Sequence, residues 1–174
     1  TARSVIEPAL SRLHVDGIDG IFITHWDRDH AGALDELASD IAIGFVAYPS
    51  AAPPPEDTGR MLRKKKIRTI PLKAGDRLPL GRAEISVLHP PAESGNVSEN
   101  DLSLVMIFNL GGRNILLTGD VENEGLEQLS RELEPFRADV LVAPHHGARK
   151  SLNPRFALIT SPRFTVFSVG KNNR

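Results

Sequence analysis

The stretch Ile21-Phe22-Ile23-Thr24-His25-Trp26-Asp27-Arg28-Asp29-His30 decides how the rest of this chain is read. Its first four residues form a compact apolar run behind Gly20, the pattern of a buried strand. Its last six hold four potential metal ligands: His25, Asp27, Asp29 and His30. Hard divalent cations take carboxylate oxygens and imidazole nitrogens. A loop at the carboxyl end of a strand is also where α/β folds commonly place their sites. A helix cap formed by Asp29 or His30 would account for one of these residues and leave the other three without a role.

Outward from the cluster, residues 31–37 predict a helix with Ala33, Leu34 and Leu37 on one face, and residues 41–47 return to a strand. Strand, loop, helix and strand in this order predict an α/β layer. Upstream, residues 8–15 read as a short helix that carries His14, for which no function is needed. Downstream, residues 49–59 are rich in Pro, Ala and Gly and read as a loop. The basic residues Arg60, Arg63, Lys64, Lys65, Lys66 and Arg68 read as a short helix running into a strand at 67–70. Two short strands are expected over 76–88 around Gly81, then a polar loop over 90–101. A hairpin over 102–110 and 114–118 turns at Gly111-Gly112. Leu126, Leu129 and Leu133 stripe a helix over 122–134, and a strand (140–143), a helix (153–160) and a last strand (164–169) complete the chain. Nothing divides it, so residues 1–174 are expected to form one domain.

Two more loops behind apolar strands carry ligand chemistry. Asp120 follows Leu116-Leu117-Thr118-Gly119, and its two oxygens suit it to bridge two cations; a cap for the helix beginning near Val121 is the alternative. Pro144-His145-His146-Gly147 follows the next strand. Adjacent side chains point in different directions, so one of the two imidazoles is expected to face the site; a solvated surface turn is the alternative. His89 stands alone, as a strand cap or a phosphate contact at the rim.

Composition narrows the chemistry. With 21 Lys and Arg against 22 Asp and Glu, the chain is no polycation, so nucleic-acid binding would need a local patch or metal ions. Cysteine is absent, which excludes disulfides and thiolate sites and leaves a metal to His, Asp and Glu. No apolar run approaches the ~20 residues of a membrane span. The chain begins at Thr1 and stops at Asn172-Asn173-Arg174, and it is read as a piece of a larger protein rather than a processed mature one.

Taken together, the three loops resemble the metallo-β-lactamase superfamily. Its second motif is usually His-x-His-x-Asp-His, and here Asp27 stands in place of the second His. That variant is similar to the domain carried by ComEC-type competence proteins, which are membrane channels for DNA uptake. Further segments agree: Ala74-Gly75-Asp76-Arg77-Leu78, Val87-Leu88-His89-Pro90-Pro91, Asn100 with Ser103-Leu104-Val105, Leu117-Thr118-Gly119-Asp120, Pro144-His145-His146-Gly147 and Ser168-Val169-Gly170-Lys171-Asn172. The resemblance covers nearly the whole chain.

It implies a four-layer αββα sandwich, truncated at both ends relative to the family. It implies metal ligation by His25, Asp27, Asp29, His30, Asp120 and His145, with up to two divalent ions, Mn²⁺ or Zn²⁺, and no nucleotide cofactor. The superfamily's third-motif His has no match, since Asn100 and Ser103 occupy that segment. The expected activity is phosphodiester hydrolysis of DNA. Asp29 would hold metal and orient water, and Asp120 would bridge the ions. His145 or His146 would contact phosphate or complete a metal shell, making Asp29, His145 and His146 the catalytic candidates. The basic residues 60–68 would track the DNA backbone, unless they are a solvated helix face. Expected partners are DNA and the rest of a membrane channel, with the domain itself soluble at a bacterial plasma membrane. A small-molecule hydrolase of the same fold and a non-catalytic DNA-guiding module are the competing readings.

Overall fold

A computed structural model describes residues 2–93, 95 and 97–169; Gly170-Lys171-Asn172 of the last resembling segment lies outside the described residues. A π-helical turn, Ala2–Ile6, leads into α1 (Glu7–Arg12). The apolar run before the cluster is β1 (Gly17–Phe22). Two short helices, α2 (Arg28–Ala31) and α3 (Leu34–Asp40), return the chain to β2 (Ala42–Pro49). The next crossover, α4 (Glu56–Lys64), leads to β3 (Arg68–Leu72). Parallel pairing requires such crossovers, and β1, β2 and β3 form a three-stranded parallel sheet in that order. Gly20 pairs with Phe45, and a Cβ at Gly20 would lie 2.1 Å from the Phe45 ring, so a larger residue there would have to displace that ring.

The second sheet has six strands in chain order: β4 (Arg77–Leu80), β5 (Ala83–His89), β6 (Val105–Leu110), β7 (Arg113–Leu117), β8 (Val140–Val142) and β9 (Phe164–Val166). β4 to β7 are antiparallel, with tight turns joining β4 to β5 and β6 to β7 and a longer loop joining β5 to β6. The crossovers α5 (Asn123–Glu132) and α6 (Pro154–Thr160) make β7, β8 and β9 parallel.

Three apolar clusters define the layers. Phe45, Ala47 and Leu72 meet Ile85, Val87, Leu104 and Met106 between the two sheets. Leu34 and Leu62 pack on Ile23 and Val46 on one outer face. Leu126, Leu129 and Phe156 pack on Val105, Leu116 and Leu141 on the other. The result is the four-layer αββα sandwich.

Element boundaries differ from the sequence reading where local chemistry outweighs periodicity. The helix expected over 60–68 begins four residues earlier, at Glu56 directly after Pro55. Glu56 and Asp57 sit in its first turn and Arg63 and Lys64 in its last, each complementing the helix dipole. It stops at Lys64; Lys66 has φ +56° and Arg68 already belongs to β3. The strand expected from 102 starts at Val105, because Asn100–Leu102 forms a 3₁₀ turn. His14 lies past the end of α1 rather than within it.

Candidate metal centre

Strand direction brings the three loops to one edge. β1 runs into Thr24-His25, β7 into Thr118-Gly119-Asp120 and β8 into Pro144–Gly147. The loops are tied to each other by backbone and hydroxyl bonds. The Leu104 N–H donates to the Thr24 carbonyl at 2.9 Å, linking the two sheets beneath the cluster. The Thr118 hydroxyl donates to the Val142 carbonyl at 2.7 Å, and the His145 N–H donates to the Gly119 carbonyl at 3.1 Å. Gly119 has φ +52°, and a Cβ there would lie 2.8 Å from the Thr24 Cβ, so only glycine lets these loops approach. Trp26 anchors the cluster loop from outside: its indole N–H donates to the Ala52 carbonyl at 2.8 Å.

The Asp120 carboxylate, 5% exposed, is the hub. Its Oδ1 lies 3.3 Å from His30 Nε2. Its Oδ2 lies 3.9 Å from His25 Nε2, 3.8 Å from His145 Nε2 and 3.7 Å from His146 Nε2. Asp27 Oδ2 is 3.8 Å from His25 Nε2; Asp29 Oδ2 is 3.7 Å from His30 Nε2 and 3.9 Å from His146 Nε2. One ligand atom each from Asp29, His30, Asp120 and His146 falls within 4.8 Å of the others.

Both imidazoles of the His145-His146 pair reach Asp120, where one was expected. The reason is backbone conformation: His145 (φ +45°) and His146 (φ +56°) are consecutive left-handed residues, which rotates both side chains to the same side. Each such residue costs on the order of 1–3 kcal/mol, held here by the Gly119 bond and by the Ala148 N–H donating to the His145 carbonyl at 2.9 Å. Asp120 itself caps no helix; α5 starts at Asn123 without a side-chain cap.

The donor set fits a divalent cation. His25 is fully buried, and its Nε2 has no hydrogen-bond partner among the described residues. Leaving a buried polar atom unpaired costs roughly 1–3 kcal/mol, a cost that coordination removes. Apart from His30 at 3.3 Å, the separations around Asp120 are too long for hydrogen bonds, which run near 2.7–3.2 Å. They match the ~3.4 Å that separates two ligands each ~2.1 Å from a tetrahedral ion. Thr24 sets the ring orientations: its Oγ1 lies 3.1 Å from His25 Nδ1 and 3.4 Å from His30 Nδ1. With both Nδ1 atoms protonated, the hydroxyl oxygen accepts twice and both Nε2 lone pairs face the carboxylates.

Electrostatics agree with that arrangement at His25. Burial lowers the His25 pKa, with the neighbouring His30 adding to it, so the ring is held neutral with a lone pair to give. Pairing with Asp120 raises the His30 pKa against the effect of burial. Burial pushes the Asp120 carboxyl up, but its contact with His30 and the potentials of His30, His25 and His146 outweigh that and hold it below the usual range.

Two supporting residues escaped the sequence reading. Glu122, 4% exposed, accepts a hydrogen bond from His145 Nδ1 at 2.7 Å, and Lys150 Nζ stands 3.9 Å from its other oxygen. Asp120-Val121-Glu122 placed a second acid on the same loop, but that acid read as the start of a helix. Ser103, in the segment without the superfamily's His, is fully buried and accepts from the Asp120 N–H at 3.2 Å. His89 is not at the rim. It is buried, with Nδ1 3.1 Å from the Ser103 carbonyl, and burial lowers its pKa.

The basic run stands apart from this edge. Arg68 pairs in register with Phe45, which is level with Gly20, five positions before His25 and roughly 16 Å along the strand at ~3.3 Å per residue. Arg60 is engaged by Glu56 at 2.8 Å and Asp57 at 3.6 Å, and the Arg68 guanidinium lies 5.5 Å from the Phe45 ring centroid. Arg63 and Lys64 end α4, and Lys65 and Lys66 turn into β3 on the same far edge.

The family model for the metallo-β-lactamase superfamily matches residues 1–170. The chain belongs to the metallo-β-lactamase superfamily. Among curated members of known sequence, it is 31% identical to ComE operon protein 3 of Bacillus subtilis (strain 168), over 99% of this chain and 22% of that protein. It is 27% identical to competence protein ComA of Neisseria gonorrhoeae, over 99% of this chain and 23% of that protein. The chain thus spans less than a quarter of the length of these relatives. The metallo-β-lactamase fold protein YhfI of Bacillus subtilis superposes with a TM-score of 0.55 at 14% identity, covering 98% of this chain and 83% of that one. Among the described residues of this superfamily domain, no helix is long and apolar enough to cross a membrane.

Proposed function

We propose that this domain is a metal-dependent phosphodiesterase acting on DNA as part of a competence-type uptake protein. The observation that carries the reading is the convergence of His25, His30, His145 and His146 on one buried carboxylate, Asp120, with the His25 Nε2 unpaired. His25, Asp27, Asp29, His30, Asp120 and His146 would hold one or two divalent ions, with His145 at the same carboxylate. The high share of carboxylates favours Mn²⁺ over Zn²⁺. When bound, such ions lower the pKa of a water toward ~7 and neutralise charge growing on a phosphoryl group.

The chain's own residues do the rest. Asp29, exposed at the mouth of the cluster, is placed to orient a water toward phosphorus. Thr24 holds the His25 and His30 rings. Glu122 keeps the His145 Nδ1 protonated, so that Nε2 points inward. His146, partly exposed at the same mouth, would complete the metal shell or, left out of it, meet the substrate's phosphate. The likeness to two competence proteins supports DNA as the substrate and a membrane channel as the parent chain.

The test is cleavage of labelled oligonucleotides by the purified protein with added Mn²⁺, alongside metal analysis. Cleavage by the wild type that is lost in Asp29→Ala and Asp120→Ala supports the proposal. No cleavage, or equal cleavage by both variants, rejects it. A non-catalytic DNA-guiding module is the second reading, favoured by the lack of a match to the superfamily's third-motif His in the segment of Asn100 and Ser103. Metal-independent DNA binding without cleavage would establish it.

A further inference from the structure

A strand held at Asp120 has to leave the centre across some surface, and the basic residues 60–68 lie on the far edge. A groove of about 400 Å³ is lined by α5, by Lys150 and by the start of α6. We propose that this groove carries the phosphodiester backbone of the nucleic acid away from the metal centre, an inference that rests on the DNA-directed reading above.

Three cations line the groove, Arg131, Lys150 and Arg155, against one carboxylate, Glu127, which Arg131 engages. Asn123 and Asn153 add amide donors. The Arg155 Nε donates to the Ser130 carbonyl at 2.8 Å, which fixes the guanidinium and leaves its two terminal nitrogens for another acceptor. Arg155 and Arg149 make no ion pair among the described residues, and Arg149 is exposed next to Lys150. A preset guanidinium fork suits phosphate oxygens.

The groove connects to the centre through two side chains. Lys150 Nζ lies 3.9 Å from Glu122, whose other oxygen holds His145 Nδ1 at 2.7 Å. A chain of phosphates passing Lys150 therefore starts within two side chains of Asp120. Among the described residues no aromatic side chain lines the groove. Stacking on bases has no platform there, so the groove reads backbone charge and not sequence.

The experiment measures binding of a fluorescent 20-nucleotide single strand in EDTA, where nothing is cleaved, between 50 and 200 mM salt. Each phosphate contact on a single strand contributes about −0.7 to the slope of log K against log salt. Lys150→Ala is expected to flatten the slope by about 0.7, equally for strands of different base composition. Arg155→Ala is expected to flatten it by about 0.7 and Arg155→Lys to restore it, with thermal unfolding as the control for the lost Ser130 bond. Lys64→Ala, Lys65→Ala and Lys66→Ala together leave the slope unchanged. An unchanged slope in the Lys150 variant, a slope flattened by the Lys64 to Lys66 variant, or no binding by the wild type overturns the proposal. Failure of the enzymatic reading looks different: groove-dependent binding in EDTA with no cleavage in Mn²⁺ keeps the groove and removes the nuclease.

Discussion

The two edges of the three-stranded sheet present opposite chemistry. At the carboxyl edge, β1 delivers His25, Asp27, Asp29 and His30 to a buried carboxylate on the other sheet. At the amino edge of β3, Arg63, Lys64, Lys65, Lys66 and Arg68 face solvent around a helix end. Both stretches are dense in one kind of polar group, and both looked functional as sequence. The difference between them is connection. The first is cross-linked to two other loops by Thr24, Gly119 and Asp120. The second is explained locally, by a helix dipole, by Glu56 and Asp57 beside Arg60, and by Arg68 over Phe45. A charge run becomes a candidate site when other elements converge on it.

That contrast can be broken by substitution. The largest effect is expected from Asp120→Ala, which removes the hub: Mn²⁺-supported oligonucleotide cleavage should fall on the order of 10³-fold. Bound metal measured on the same protein should fall with it. Activity within threefold of wild type would mean that the carboxylate is not the hub.

Leu62→Ala tests the helix that leads into the basic run. Leu62 is fully buried where α4 packs against β2, so the variant should lose about 2–5 kcal/mol of stability in urea unfolding. The folded fraction should retain wild-type cleavage, because no residue of the centre touches α4 among the described hydrogen bonds and ion pairs. A folded but inactive Leu62→Ala protein would show that the two edges are coupled.

Glu122→Gln keeps the shape but replaces the acceptor that orients His145. Metal affinity, followed by titration calorimetry, should weaken roughly 10–100-fold. An unchanged affinity would confine Glu122 to packing at the start of α5. The smallest effect is expected from Lys64→Ala, Lys65→Ala and Lys66→Ala combined. Cleavage at physiological salt should stay within about twofold, since exposed charges more than a Debye length of ~8 Å from the centre are screened. A tenfold loss would restore the basic run to the substrate path.

The fold was readable because its signals are local and repeated. The apolar run before His25, the leucine stripe of α5 and the glycines at 111–112 each mark one element, and the order of elements dictates crossovers and hence parallel strands. The candidate ligands were readable for the same reason: they cluster within six residues or follow directly on apolar strands. Glu122 was not, because its role depends on His145, 23 positions away, coming within 2.7 Å. His89 was misplaced because nothing in Val87-Leu88-His89-Pro90 tells that the Ser103 carbonyl waits inside the sandwich.

By itself, then, the amino-acid sequence determined the inventory: a cysteine-free, His- and Asp-based donor set on strand-end loops of an α/β domain. Composition and periodicity are properties of neighbouring residues, and those suffice for an inventory. Tertiary structure alone decided that His145 and His146 both turn to Asp120, that Glu122 and Ser103 stand behind them, and that the basic run of α4 faces away. Consecutive left-handed residues leave no periodic trace, and strand direction, not distance along the chain, sets which loop ends meet. The cluster at His25 to His30 acquires its meaning from a carboxylate ninety residues later, and only folding brings the two within 3.3 Å.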